Sequence, residues 1–328
     1  MKLRGMTVLV LVLIVAAVAR VMIGPAEHDG RIHLAFGIPT TALFRLRIGA
    51  VLSAGFLGAA LGLAGLALQV LLRNPLASPF VLGISSGAGF GVALVLALAW
   101  RFSLPAIAFG GEVVGAAVGA LSTLALVAWL GRSRTGHDTT TLLLAGVILG
   151  GILSAGTMLL EQFVPHGLRG DLLSWMAGRL PELPTTAASA TLVCCVALGL
   201  LVMQLHARAL DVACLSDEEA SSSGVNLRRL RVMLFLVGGL LAAVAVAYAG
   251  PIGFIGLVGP HLARRLIGAH HQWLVPGAAV AGGALLVTAD VARQLIDVGT
   301  GRLPVGVVTA LAGGPAFLWL LRSGRWRT

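Results

Sequence analysis

The stretch Leu71–Gly89, LLRNPLASPFVLGISSGAG, sets two prolines, an asparagine and an arginine between two of the most apolar runs in the chain. Proline lacks a backbone N–H and ends helices, and asparagine favours turns. Such residues break a membrane helix, so the question is what the break serves. Outward from it, apolar runs recur along the whole chain, each about 20 residues long, enough to span a ~30 Å hydrocarbon core. Only 11% of the 328 residues are charged and the mean hydropathy is +0.97, against about 25% charged in soluble domains. A soluble fold could not cover its surface with so few charges. The fold class is an all-α polytopic membrane protein.

Ten spans are predicted, at about 5–24, 48–70, 84–100, 105–130, 141–163, 185–205, 230–249, 253–268, 274–297 and 304–322. The eighth is short and glycine-broken. The basic, then apolar N-terminus has the form of a signal peptide, but the many spans that follow make it an uncleaved first helix. With the N-terminus inside, fourteen of the 23 Lys and Arg residues fall in inner segments and nine in outer ones. By the positive-inside rule both termini face the cytoplasm. The net charge of +10 thus reflects membrane orientation and not nucleic-acid binding. Cys194, Cys195 and Cys214 form no disulfide framework. Trp100, Trp175 and Trp273 are expected as interface anchors.

Small residues recur at four-residue spacing in GAALGLAG (Gly58–Gly65) and GAAVGA (Gly115–Ala120), a pattern for close helix approach in membranes. A second broken segment, AGPIGFIGLVGP (Ala249–Pro260), follows a long helix as the opening stretch does. Interrupted helices at matching positions of inverted halves point to a transport pathway. Irregular backbone at membrane depth needs protein or a water-filled cavity to satisfy it.

Chemical motifs are sparse. GISSG (Gly83–Gly87) fits G-x-S-x-G, but that pattern needs a strand-to-helix elbow, and here it opens a membrane helix. His270–His271 is expected in a solvated loop, since ligation from one helix face wants i, i+4 spacing, and no metal site is predicted. His261 is expected to cap or line the short eighth helix. No G-x-x-x-x-G-K-[ST] occurs, and with Lys2 as the sole lysine none is hidden. The chain binds no ATP through a P-loop. Asp290, inside the ninth span and three residues before Arg293, is a functional hypothesis by its depth and also suits a local ion pair. The polar segment His206–Val232 holds LSDEEASSSGV, which reads as a short helix with Ser216 as N-cap and Glu219 completing a capping box. It has the form of a cytoplasmic docking surface.

Five ordered blocks now carry a resemblance: LLRNPLASPFVLGISSGAGFG, LSDEEASSSGV, GPIGFIGLVGPHLARRLIG, LLVTADVARQL and LPVGVVTALAGGPAFLWLL. From about Arg45 to the C-terminus the chain resembles the FecCD family, permease subunits of ABC importers for iron-siderophores, haem and vitamin B12. The resemblance implies one transmembrane permease domain over 1–328, ten helices in inverted-repeat halves, and a homodimer. It also implies two cytoplasmic ATPase subunits, which bind the ATP and magnesium, and an external substrate-binding protein. Carried over, Asn74 and Leu76 belong to a cytoplasmic gate, with Thr139, Thr140 and Thr141 from the loop before the fifth span. Leu215, Ser216, Asp217, Glu218, Glu219, Ala220 and Gly224 match the segment that couples to the ATPase. Arg45, Arg47 and Arg293 match outward arginines that meet carboxylates of the binding protein. Where the family usually reads R-L-P-R before the second span, this chain has FRLR. The expectation is an inner-membrane transport subunit without chemistry or cofactor of its own. The alternatives are a proton-coupled carrier using Asp290 and an intramembrane hydrolase using Ser85.

Overall fold

The structure, a computed structural model, describes residues 2–28, 31–103, 110–133, 136–137, 139–181, 185–215, 217–296 and 303–322. In chain order its elements are α1 (Lys2–Met22), the strands β1 (Ile23–His28) and β2 (Arg31–Phe36), α2 (Thr41–Leu71), a 3-10 helix (Pro79–Leu82), α3 (Ile84–Arg101) and α4 (Gly111–Leu130). There follow β3 (Arg132–Ser133), β4 (Gly136–His137), α5 (Thr139–Glu161), α6 (His166–Met176), α7 (Thr186–Leu205), α8 (Ala207–Ala213) and α9 (Asp217–Ser222). The chain ends with α10 (Leu227–Ala249), α11 (Ile255–Ile267), α12 (His271–Leu295) and α13 (Val305–Arg322).

Each of the ten predicted spans holds one of these helices. Eight helices (α1 to α5, α7, α10 and α12) are long and apolar enough to cross a membrane. α11, at 13 residues, is short, as expected, and α13 is apolar from Val305 to Leu318. Large apolar side chains stand exposed along α1 (Leu11, Ile14, Val15) and α5 (Leu144, Val147, Ile148). In water this would be untenable; against lipid it is the expected outer face. Features beyond the predicted spans include the antiparallel hairpin β1–β2, with Ile23 paired to Phe36, the short pair β3–β4, the short helices α6 and α8, and an α2 of 31 residues that starts earlier than its apolar core.

The chain folds as two compact units that are interleaved in sequence and do not correspond to its first and second halves. Unit 1 comprises Met1–Leu63, Arg179–Leu205 and Ile252–Thr328; unit 2 comprises Ala64–Gly178 and His206–Pro251. In unit 1, Gly58 and Gly62 of α2 lie against Gly282 and Ala278 of α12, so close that a Cβ on either glycine would overlap a carbonyl oxygen. In unit 2 the same device joins α3 and α4: a Cβ on Gly91 would overlap the Gly115 carbonyl, and one on Gly119 the Gly87 carbonyl. The small-residue faces seen in the sequence are therefore packing seams. Without water to drive association, helices in lipid gain from such close van der Waals packing.

Candidate functional site

Unit 2 holds both the opening stretch and the polar segment. α2 stops at Leu71, and Arg73 takes a left-handed conformation (φ 46°) that turns the chain. Asn74 then builds the turn with its own side chain: its Oδ1 accepts from the Leu76 N–H at 2.9 Å, and its carbonyl accepts from the Ala77 N–H at 3.0 Å. This is the asparagine turn expected of the residue. Pro79 begins the 3-10 helix, which Gly83 closes at φ 70°, a conformation a side chain would strain. α5 crosses this turn at Gly146, where a Cβ would overlap the Val81 carbonyl.

The predicted gate residues are thus placed as follows. Asn74 is exposed and Leu76 half-buried, both in the turn. Thr139, Thr140 and Thr141 lie in the first turn of α5 and not in a preceding loop, a correction to the sequence reading. The contact of α5 with the 3-10 helix lies nearly two turns further on, at Gly146 and Gly83, which sequence reasoning did not select. Ser85 sits in the first turn of α3 after a 3-10 helix, so GISSG is not on a nucleophile elbow.

The polar segment contains two short helices. Leu215 is exposed between α8 and α9, Glu218 and Glu219 are exposed, and Ala220 is fully buried beneath them. Gly224, at φ 76°, turns the chain toward α10, which Asn226 caps by accepting from the Arg229 N–H at 3.0 Å. Ser216, the predicted N-cap, lies outside the described residues, as does the Asp217 side chain. A link the sequence does not reveal joins this segment to the turn: Arg73 Nε donates to the Ala213 carbonyl at the end of α8, at 2.8 Å. In the sequence Arg73 counts only as an inner positive charge. The bond ties the end of α8 to the residue that starts the turn.

The outer arginines are built differently from the expectation. Arg45 is exposed on α2, but Arg47 and Arg293 are buried, at 4% and 7% exposure. Arg293 Nε donates to one carboxylate oxygen of Asp290 and Arg20 Nε to the other, and Asp290 itself is fully buried. Arg47 donates to the Val21 carbonyl at 2.8 Å, and both Arg47 and Arg20 pack against Gly24. The group ties α1, α2 and α12 together inside unit 1. Neither Arg47 nor Arg293 is a surface docking residue in this chain, because their guanidiniums are turned inward, Arg293 by the buried carboxylate and Arg47 by a backbone carbonyl. Asp290 is the hub of a buried ion-pair staple, wider than the local pair with Arg293. Trp175 is another correction: it is 2% exposed, against 59% for Trp100, so it packs inside the protein and anchors nothing at the interface. His271 is likewise buried at the start of α12, and His261 is buried within α11.

A helical body with apolar outer faces, and a broken turn tied to a polar segment between spans, is that of a multi-pass membrane protein. Comparison with known proteins agrees and is more specific. Residues 7–323 match the FecCD transport family. The hemin transport system permease protein HmuU of Yersinia pestis is 42% identical over 287 residues, 85% of this chain and 83% of that one. The cobalamin import system permease protein BtuC of Halobacterium salinarum is 36% identical over 295 residues, 88% of this chain and 76% of that one. A metal-chelate type ABC transporter solved in an inward-facing conformation superposes with a TM-score of 0.82 at 28% identity, covering 98% of this chain and 99% of that one. The chain belongs to the FecCD transport family. It is a permease subunit of an ABC transporter, a membrane protein that works with ABC partners, and not an enzyme.

Proposed function

We propose that this subunit moves an iron chelate (a siderophore complex), haem or a corrinoid inward across the bacterial inner membrane by alternating access. The relatives named for hemin and cobalamin transport, and the metal-chelate type neighbour, support that substrate class. The subunit works as a homodimer with two ATP-binding subunits, which carry the ATP and magnesium, and an external binding protein. Asn74, Leu76 and Thr139 to Thr141 serve the cytoplasmic gate. Leu215 to Glu219 and Gly224 form the surface that meets the ATPase, with buried Ala220 holding that segment from behind, and exposed Arg45 meets the binding protein.

The observation that carries the mechanism is the hydrogen bond from Arg73 to the Ala213 carbonyl, because it joins coupling segment and gate turn within one unit. Movement of the segment reaches the turn through it, and a turn between helices is a natural hinge. The test is to purify the tagged chain in mild detergent from its native membrane and identify what accompanies it. A P-loop ATPase at about one copy per permease is expected, lost when Asp217, Glu218 and Glu219 are replaced by alanine. The accompanying binding protein is then screened for its ligand. An intact permease without an ATPase would overturn the assignment of the coupling surface.

A further inference from the structure

The polar end of α10 carries a groove that neither gating nor coupling uses. Arg228 and Arg229 flank its mouth, and Val232, Met233 and Leu236 continue it along the helix, with a volume of about 660 Å³. Both arginines are exposed, and among the described residues neither guanidinium has an ion-pair partner. Val232 and Met233 are half-buried, and Leu236 is 46% exposed. From Arg228 to Leu236 the groove runs two turns, about 12 Å at the α-helical rise, into a span of mean hydropathy 2.4. A partner in the aqueous phase can reach the arginines but not Leu236. A lipid reaches both: its phosphate lies at the level of the arginines and its chains at the level of Leu236.

We propose that this groove binds an anionic phospholipid, with the phosphate on Arg228 and Arg229 and an acyl chain along Val232, Met233 and Leu236. The charge of the mouth selects an anionic headgroup over a zwitterionic one, since basic side chains near the bilayer surface attract anionic lipid. Asn226 also lines the groove, and only Ser223 to Val225 separate it from α9, so the bound lipid steadies the start of α10 beside the coupling segment. The inference rests on the chain spanning a bilayer and on nothing about its cargo or its ATPase.

The test titrates the purified full-length chain in detergent with phosphatidylglycerol and, separately, phosphatidylcholine, read by native mass spectrometry. Phosphatidylglycerol is expected to bind in preference. Each arginine near the headgroup contributes about fivefold, so Arg228→Gln with Arg229→Gln lowers phosphatidylglycerol affinity about thirtyfold. Arg322→Gln, an exposed arginine at the end of α13, leaves it unchanged. The paired lysine variant keeps the affinity within a few fold, which separates charge from misfolding. Met233→Trp fills the groove and weakens phosphatidylglycerol with both arginines in place, so the lysine pair and this variant decide the matter if the glutamine pair does not elute as the wild type does. Equal binding of the two lipids, or unchanged affinity in the glutamine pair, overturns the proposal. Displacement of the lipid by millimolar inorganic phosphate alone would mean a plain anion site. Loss of the accompanying ATPase with lipid binding intact would assign the arginines to a protein contact instead.

Discussion

Replacing Asp290 by asparagine is the sharpest probe of the outer cluster. The change keeps the shape of the side chain and removes its charge. In the wild type, both carboxylate oxygens accept guanidinium N–H groups, from Arg20 and from Arg293, at a site with no solvent exposure. In the variant one oxygen becomes an amide that donates, and it faces a donor. Two buried arginines lose the carboxylate they share, with Arg47 close by: its guanidinium and that of Arg20 crowd the same position over Gly24. Breaking a buried pair by removing one partner costs about 3–5 kcal/mol. Unfolding entropy of about 2.1 cal/mol/K per residue gives about 0.7 kcal/mol/K for a chain of 328 residues. The apparent Tm should therefore fall by roughly 4–7 °C, read by size-exclusion of the detergent-solubilised protein after heating.

A double-mutant cycle adds a second condition. Arg293→Gln on the Asp290→Asn background removes one of the uncompensated charges. The pair should be more stable than the sum of the single losses, with a coupling of about 1–3 kcal/mol. The result that refutes the reasoning is an Asp290→Asn protein that melts within about 1 °C of the wild type, well below the loss expected for a broken buried pair. A different outcome would revive the proton-coupled carrier: normal stability, together with loss of uptake driven by a proton gradient in the absence of any ATPase. That would make Asp290 an exchangeable group and not a staple.

Two further predictions follow from unit 2. Arg73→Gly relieves the left-handed backbone while cutting the bond to Ala213, whereas Arg73→Ala cuts the bond and keeps the strain. Both should lower substrate moved per ATP hydrolysed in proteoliposomes by about threefold or more; only the alanine variant should lose stability, by about 1 kcal/mol. An unchanged transport-to-hydrolysis ratio in both would remove the Arg73 link from the mechanism. Gly91→Ala pushes a methyl group into the Gly115 carbonyl, which as backbone cannot swing aside. The α3–α4 seam must open, at a cost of about 1–3 kcal/mol, whereas Gly55→Ala, where a Cβ meets open space, should melt like the wild type.

The spans were legible because a membrane sets one requirement, about 20 apolar residues, and this chain meets it repeatedly without competing signals. The broken turn was legible for the same local reason: Asn74, Pro75 and Pro79 dictate backbone geometry wherever they occur. The hairpin β1–β2 also left a trace, since RIHL (Arg31–Leu34) alternates polar and apolar residues and Asp29–Gly30 is a hairpin dipeptide. It was overshadowed by the membrane period on either side. The crossing of α5 at Gly146 left none, because a glycine in an apolar helix looks the same whether it faces lipid or a backbone turn.

The arginines show where reading a charge from sequence runs out. A guanidinium near an outer helix end suits a docking surface and a buried staple equally well, since both want charge at the same depth. What separates them is whether a carboxylate from another helix lies within reach, and that is a fact about packing. Arg20 and Asp290 are 270 residues apart in sequence, so no local spacing could pair them. Arg293 and Asp290, three apart, could be paired, and that half of the staple was readable. The family resemblance pulled the other way, toward outward docking. It transfers a residue's position reliably, but not the direction its side chain takes once a neighbouring helix supplies a better partner. Arg45, two residues before Arg47 on α2, presents the other outcome: it stays exposed. Two arginines two positions apart on one helix thus divide into one buried against α1 and one exposed. Charge reversal at Arg45 should weaken capture of the binding protein without moving Tm, while the same change at Arg47 should lower Tm first.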